Sequence, residues 1–141
     1  VIIQTFSPKH YVFDFVKKHD HKGFSEKELE FRKKLNYPPF SRMVAMVIES
    51  KDERAGEILA KNTQRTFTNI LKGIKGVELV GPSRAALYRI NNRFRRHLIL
   101  KASDLRVLQL VLRRFHEVSE IKISSDSKAK LTLDVDPVNL M

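Results

Sequence analysis

The chain has 141 residues, 42% hydrophobic and 30% charged, and its 27 Lys and Arg outweigh 16 Asp and Glu to leave a formal net charge of +11. That length supports one compact domain with an appendage, and the charge points to an anionic partner, nucleic acid ahead of acidic lipid. No apolar run approaches the roughly 20 residues of a membrane-spanning helix, and the lack of cysteine excludes disulfides and thiolate metal sites, which fits a reducing cytosol.

In chain order, Val1–Phe6 (VIIQTF) is a short β-prone run stopped by Ser7-Pro8. With no initiator Met before it, this run reads as a strand entered mid-fold, and the chain as a fragment of a longer polypeptide. His10–His21 reads as a helix with Tyr11, Val12, Phe15 and Val16 on one side. Ser25-x-x-Glu28 has the form of a capping box and predicts a second helix, SEKELEFRKKL, that ends before Asn36-Tyr37-Pro38-Pro39. An organisational boundary is expected near Gly23.

Beyond the prolines the pattern alternates in type. Arg42–Ser50 is almost wholly apolar and suits a central strand. Asp52–Lys75 carries Ala55, Ile58, Leu59, Thr66, Ile70 and Ile74 at helical spacing, with Gly76 placed to terminate it. Val77–Val80 is a short strand that Gly81-Pro82 bends or interrupts and residues 84–90 resume. Asn91-Asn92 suits a hairpin turn into a strand over Arg93–Lys101. Ser103 then caps a helix from Asp104 to about Ser119, striped by Leu105, Leu108, Leu112, Phe115 and Val118. Ile121–Ser127 is polar, and Lys130–Asp136 alternates as a last strand. The order strand, helix, strand, strand, helix, strand predicts an α+β, ferredoxin-like βαββαβ sandwich, an antiparallel sheet with two helices on one face.

The stretch from Gly81 to Lys101 carries Arg84, Arg89, Arg93, Arg95, Arg96 and Lys101 without one acidic residue. On the strand's alternation, Phe94, Leu98 and Leu100 share one face, while Arg93, Arg95, His97 and Lys101 share the other, the face left free of helices. Arg96 falls on the apolar parity and is expected at a frayed strand start. A cationic row beside Tyr88 and Phe94 suits a nucleic-acid surface, against the alternative of a solvated sheet face. Phe94 shares parity with the core leucines. Tyr88 is the better candidate for stacking on a base, with packing as the competing reading.

Other chemistry finds little support. The chain has no Gly-rich phosphate loop, no dinucleotide fingerprint and no nucleophile elbow. His19-Asp20-His21 lacks the three or four ligands of a zinc site and reads as a helix end, so no metal is expected. Asp134 and Asp136 share a strand face, and structural ion pairing is favoured over a cation site.

Glu28-Leu29-Glu30-Phe31-Arg32, Tyr37-Pro38-Pro39-Phe40, Gly81-Pro82, Arg93-Phe94-Arg95-Arg96 with Leu98–Lys101, and Asp134-Val135-Asp136-Pro137 together resemble the C-terminal portion of the PriA family of bacterial replication-restart DNA helicases. The resemblance covers nearly the whole chain. It implies three segments: residues 1–23 as a remnant of helicase lobe 2, 24–41 as a lead-in helix and Pro-Pro linker, and 42–141 as a DNA-binding domain similar in fold to ribosomal protein S10. It also implies an ATP-dependent 3′-to-5′ helicase parent that uses ATP, Mg and Zn, none of whose ATP motifs or zinc cysteines fall in this chain. The chain itself is therefore expected to be non-catalytic and without cofactors.

On this resemblance the expected function is sequence-independent binding of single-stranded or forked DNA in replication restart and primosome assembly. The expected contacts are Arg84, Tyr88, Arg89, Arg93, Arg95, Arg96, His97 and Lys101. The tail of single-stranded DNA-binding protein (SSB) is expected near Arg106 and Gln109. Other expected partners are further primosome proteins and the rest of the helicase chain, with no membrane, in the bacterial cytoplasm at the nucleoid. The alternatives are an S10-like RNA-binding module and a protein-interaction domain that reads an acidic peptide.

Overall fold

A computed structural model describes residues 2–118 and 129–137. The chain divides into two compact units, residues 1–36 and 37–141. In the first, helices α1 (Val12–Lys18) and α2 (His21–Lys34) form a short helical hairpin. Its adhesion comes from aromatic rings, with Tyr11 5.5 Å from Phe31 and Phe15 6.1 Å from Phe24, between centroids. The Tyr11 hydroxyl donates to Glu28 at 2.7 Å, and Arg32 donates to the other oxygen of that carboxylate at 2.9 Å. Those two bonds hold the Glu28 carboxyl below its ordinary pKa, and the bond to Glu28 pushes the Tyr11 phenol up.

Three expectations change in this unit. Residues 2–6 form no strand, because a strand needs a partner for its backbone groups and none is offered among the described residues. Helix α1 is shorter than His10–His21, ending where His19 turns left-handed at φ 52°. Helix α2 begins at His21, four residues earlier than the capping box predicts and running straight through Gly23. Its N-cap is Asp20, whose carboxylate accepts the Gly23 N–H at 2.8 Å. A side chain at Gly23 would collide with that carboxylate, since an added Cβ would lie 2.3 Å from Asp20 Oδ2. Ser25 lies inside the helix and donates to the His21 carbonyl instead.

The second unit is the predicted sandwich. Strands β1 (Arg42–Ser50), β2 (Val77–Ile90), β3 (Arg93–Ala102) and β4 (Ala129–Val135) form one antiparallel sheet in the order β2-β3-β1-β4. Helices α3 (Glu53–Ile70) and α4 (Leu105–Val118) connect them. Central β1 is buried continuously from Met43 to Met46, which is why its sequence shows almost no polar alternation. Val44, Met46 and Ile48 of β1 and Leu98 and Leu100 of β3 meet Ala60 and Phe67 of α3 and Leu108, Val111 and Phe115 of α4. Phe67 and Phe115 stack at 4.3 Å where the helices meet, a contact of the kind worth about 1 kcal/mol beyond its area.

Boundaries move for identifiable reasons. Asp52 caps α3 by accepting from the N–H groups of Arg54 and Ala55, and the helix stops at Leu71, before left-handed Gly73 at φ 81°, so Gly76 is not its terminator. Asp104, not Ser103, caps α4, taking the Val107 N–H at 3.0 Å, and that bond holds its carboxyl below the ordinary pKa. The buried stripe of α4 runs through Leu108, Val111 and Phe115, leaving Leu105 and Val118 exposed. Residues 119–128, including the polar Ile121–Ser127 stretch, lie outside the described residues, as does the end of the chain from 138.

Candidate nucleic-acid interface

The β2–β3 hairpin holds every residue of the basic stretch. Strand β2 is continuous through Gly81-Pro82 but slips register between Val80 and Ser83 and again between Arg84 and Arg89. Gly81 makes the first slip possible: its φ is +99°, and an added Cβ would lie 2.9 Å from the His97 carbonyl oxygen. Gln64 of α3 pins the bend by donating to the Gly81 carbonyl at 3.0 Å. At the tip, Asn91 and Asn92 have φ of 48° and 59°, the two positive values a two-residue primed turn requires.

The parity read from β3 holds, since Arg95, His97 and Lys101 pair with Glu49, Val47 and Met43 of β1, on the face opposite the core leucines. This row is not a bare strip of cations. Arg95 is 14% exposed in its side chain and lies 3.3 Å from its cross-strand partner Glu49. Lys101 is buried, with its ammonium 4.4 Å from the centre of the Tyr37 ring and 3.9 Å from Glu78, its partner on β2. Opposite charges directly across a sheet are the stabilising arrangement. His97 is half-buried, and burial, followed by the Arg95 charge, pushes its pKa below the ordinary 6.5, so it is neutral at pH 7.

Arg96 is not frayed. It pairs with Ile48 in the sheet and reaches the α3 side, 3.7 Å from Glu53 and 3.5 Å from Glu57, with a side chain 15% exposed. The Tyr88 hydroxyl donates to the same Glu53, which raises the phenol pKa. The Tyr88 ring carries the Arg84 guanidinium at 4.6 Å and that of Arg96 at 5.8 Å, with Phe94 tilted beside it at 5.6 Å. Tyr88 is thus already engaged on its hydroxyl and its ring.

Three arginines of the hairpin remain open to solvent to differing degrees. Arg84 is exposed and lies 3.8 Å from Glu53. Arg89 is exposed, sits 5.0 Å over the Phe94 ring and donates to the Asn92 side chain. Arg93 is half-buried at the turn, and neither it nor Arg89 forms an ion pair among the described residues. The structure therefore gathers Arg84, Tyr88, Arg89, Phe94 and Arg96 at the turn end of the hairpin, beside the start of α3. His97 and Lys101 lie further along β3. The residues that sequence reasoning missed are Glu49, Glu53, Glu57, Glu78 and Tyr37.

Elsewhere, Arg106 and Gln109 are exposed on α4, three residues apart and so neighbours on its surface. Asp136 pairs with Arg42 at 3.0 Å, the structural role favoured for it. Among the described residues, no three His, Cys, Asp or Glu side chains cluster to hold a metal ion, and no helix is long and apolar enough to cross a membrane.

Fold and site define a ferredoxin-like α+β domain that carries an arginine-rich hairpin. The chain belongs to the primosomal protein N C-terminal domain family, whose model matches residues 33–138. Replication restart protein PriA of Synechocystis sp. is 33% identical over 140 residues, covering 99% of this chain and 16% of that protein. The PriA proteins of Borreliella burgdorferi and Bacillus subtilis are 28% and 29% identical, each over 100% of this chain and 20% and 17% of their own lengths. The chain thus spans a fifth or less of the length of these curated relatives.

Proposed function

We propose that this chain is the non-catalytic DNA-binding end of a replication-restart helicase, and that the turn of its β2–β3 hairpin is the contact. The observation that carries the reading is the pair Arg89 and Arg93 beside Asn91-Asn92, two cations without a carboxylate partner among the described residues, on a hairpin whose other arginines, Arg84, Arg95 and Arg96, each lie within 4 Å of a glutamate. Arg84 adds an exposed third cation. Arg95, Arg96 and Lys101 supply field from behind more than direct contact, and neutral His97 adds no charge at pH 7. Phosphate contacts of this kind fix position without reading sequence. That suits a protein acting at any stalled fork, on single-stranded or forked DNA.

In this reading residues 1–23 belong to helicase lobe 2, and ATP, Mg and Zn serve the parent elsewhere in its chain. The protein works in the bacterial cytoplasm at the nucleoid, with other primosome proteins. Arg106 and Gln109 form the contact for the acidic SSB tail. A second reading, recognition of an acidic peptide by the hairpin itself, draws support from Glu53, a carboxylate already held by Arg84, Arg96 and Tyr88.

The test is fluorescence anisotropy with labelled single-stranded DNA, a forked duplex, structured RNA and an acidic peptide, at about 50 and 200 mM salt, together with an ATPase assay. Salt-sensitive DNA binding with little sequence preference and no ATP turnover is expected. Preference for the RNA would move the domain to the ribosomal class, and peptide binding without DNA binding would make it a protein-interaction module.

A further inference from the structure

The carboxylate of Glu53 occupies an unusual position. One of its oxygens, Oε1, is approached by three donors from the hairpin: Arg84 at 3.8 Å, Arg96 at 3.7 Å and the Tyr88 hydroxyl. Two guanidinium groups and a hydroxyl converging on one oxygen are what a phosphate oxygen would find at a binding site. The three donors are not equivalent. Arg96 is 15% exposed and has a second anchor in Glu57, whereas Arg84 is 68% exposed and has no other ion-pair partner among the described residues. Arg84 also rests on the Tyr88 ring, so it stays in place whichever anion it faces.

We propose that Glu53 is an internal substitute for a nucleic-acid phosphate, seated on an anion cradle made by Arg84, Arg96 and Tyr88, and that a backbone phosphate takes Arg84 from it on binding. The proposal rests on the hairpin being the DNA surface and names a site that adjoins the turn. Glu53 lowers affinity by competing for Arg84, and it keeps the cradle assembled when no nucleic acid is present. A phosphate in that place would extend the tract of contact from Arg93 and Arg89 at the turn towards the first residues of α3.

The test uses the full chain with Glu53→Gln, which keeps shape and removes charge. The readout is anisotropy with a labelled single-stranded oligonucleotide at 50 and 200 mM salt. Freeing one cation for one phosphate corresponds to a gain of about eightfold at the lower salt and about threefold at the higher, with the salt slope steeper by about 0.7. Glu117→Gln, at an exposed carboxylate on α4, controls for net charge, and Arg84→Ala combined with Glu53→Gln should abolish the gain. Circular dichroism confirms that each variant is folded.

A gain confined to Glu53→Gln and dependent on Arg84 supports the cradle. An equal gain from Glu117→Gln, a gain that survives loss of Arg84, or unchanged or weaker binding by folded Glu53→Gln overturns it. Those results leave the DNA-binding reading standing so long as the unaltered chain binds. If neither the unaltered chain nor Glu53→Gln binds, both readings fall. Binding by Glu53→Gln alone supports the cradle and identifies Glu53 as the block.

Discussion

Arg93 and Arg96 are three residues apart on one strand and live in different surroundings. Arg93 stands at the turn with no ion-pair partner among the described residues, while Arg96 reaches back over α3 and is held by Glu53 and Glu57. Arg95 between them faces the opposite side of the sheet and is held by Glu49. A run of arginines is therefore not one feature. Position along the ladder decides which of them brace the sheet and which are left to meet a partner. The same chemical group is a structural strut at 95 and 96 and a cation without an ion-pair partner among the described residues at 89 and 93.

This division breaks first at Arg96. Arg96→Ala removes a mostly buried stem packed against the Tyr88 ring and the cation that Glu53 and Glu57 share, although Glu53 keeps Arg84 and Glu57 keeps Lys61. A loss of about 2 kcal/mol, mainly from lost packing, is therefore expected in urea unfolding. Arg95→Ala deprives only Glu49 and should cost about 1 kcal/mol by the same measurement. An equal loss for Arg93→Ala would erase the distinction.

The smallest effect concerns His97. Its folded pKa lies below the ordinary 6.5 because burial and Arg95 disfavour its charged form. The unfolded chain then binds the extra proton first. The contribution of His97 to stability is full above about pH 6.5 and is lost as pH falls through the lower folded value. Unfolding midpoints measured from pH 7.5 to 5 should show that decline, and His97→Gln should flatten it. A decline of the same size in His97→Gln would assign it to other groups.

Much of this was legible in the residues. The sandwich order, the central strand, the Asn91-Asn92 turn and the two faces of β3 all follow from periodicity and turn chemistry. What stayed hidden was the pairing, because Glu53 and Glu57 lie 35 residues from Tyr88 and 39 from Arg96, and only the packing of α3 on the hairpin brings them in. The capping box at Ser25 misled for a related reason. Glu28, the expected reciprocal partner, is claimed by Tyr11, 17 residues earlier, while Asp20 supplies a cap closer to the real start. The β-prone run at residues 2–6 shows the limit of local propensity, since no neighbouring strand among the described residues takes up its backbone groups.

The most direct measurement compares the salt dependence of single-stranded DNA binding between the unaltered chain and the double variant Arg89→Ala/Arg93→Ala, with unfolding followed in parallel. Losing two phosphate contacts should reduce the slope of log affinity against log salt by about 1.4 and weaken binding at 50 mM salt by well over tenfold. Stability should fall by no more than about 1 kcal/mol, since Arg89 gives up its place over the Phe94 ring and its bond to Asn92 but neither arginine leaves a carboxylate unpaired among the described residues. An unchanged slope in a folded double variant would contradict the account and return the DNA surface to the paired arginines or to another face of the domain.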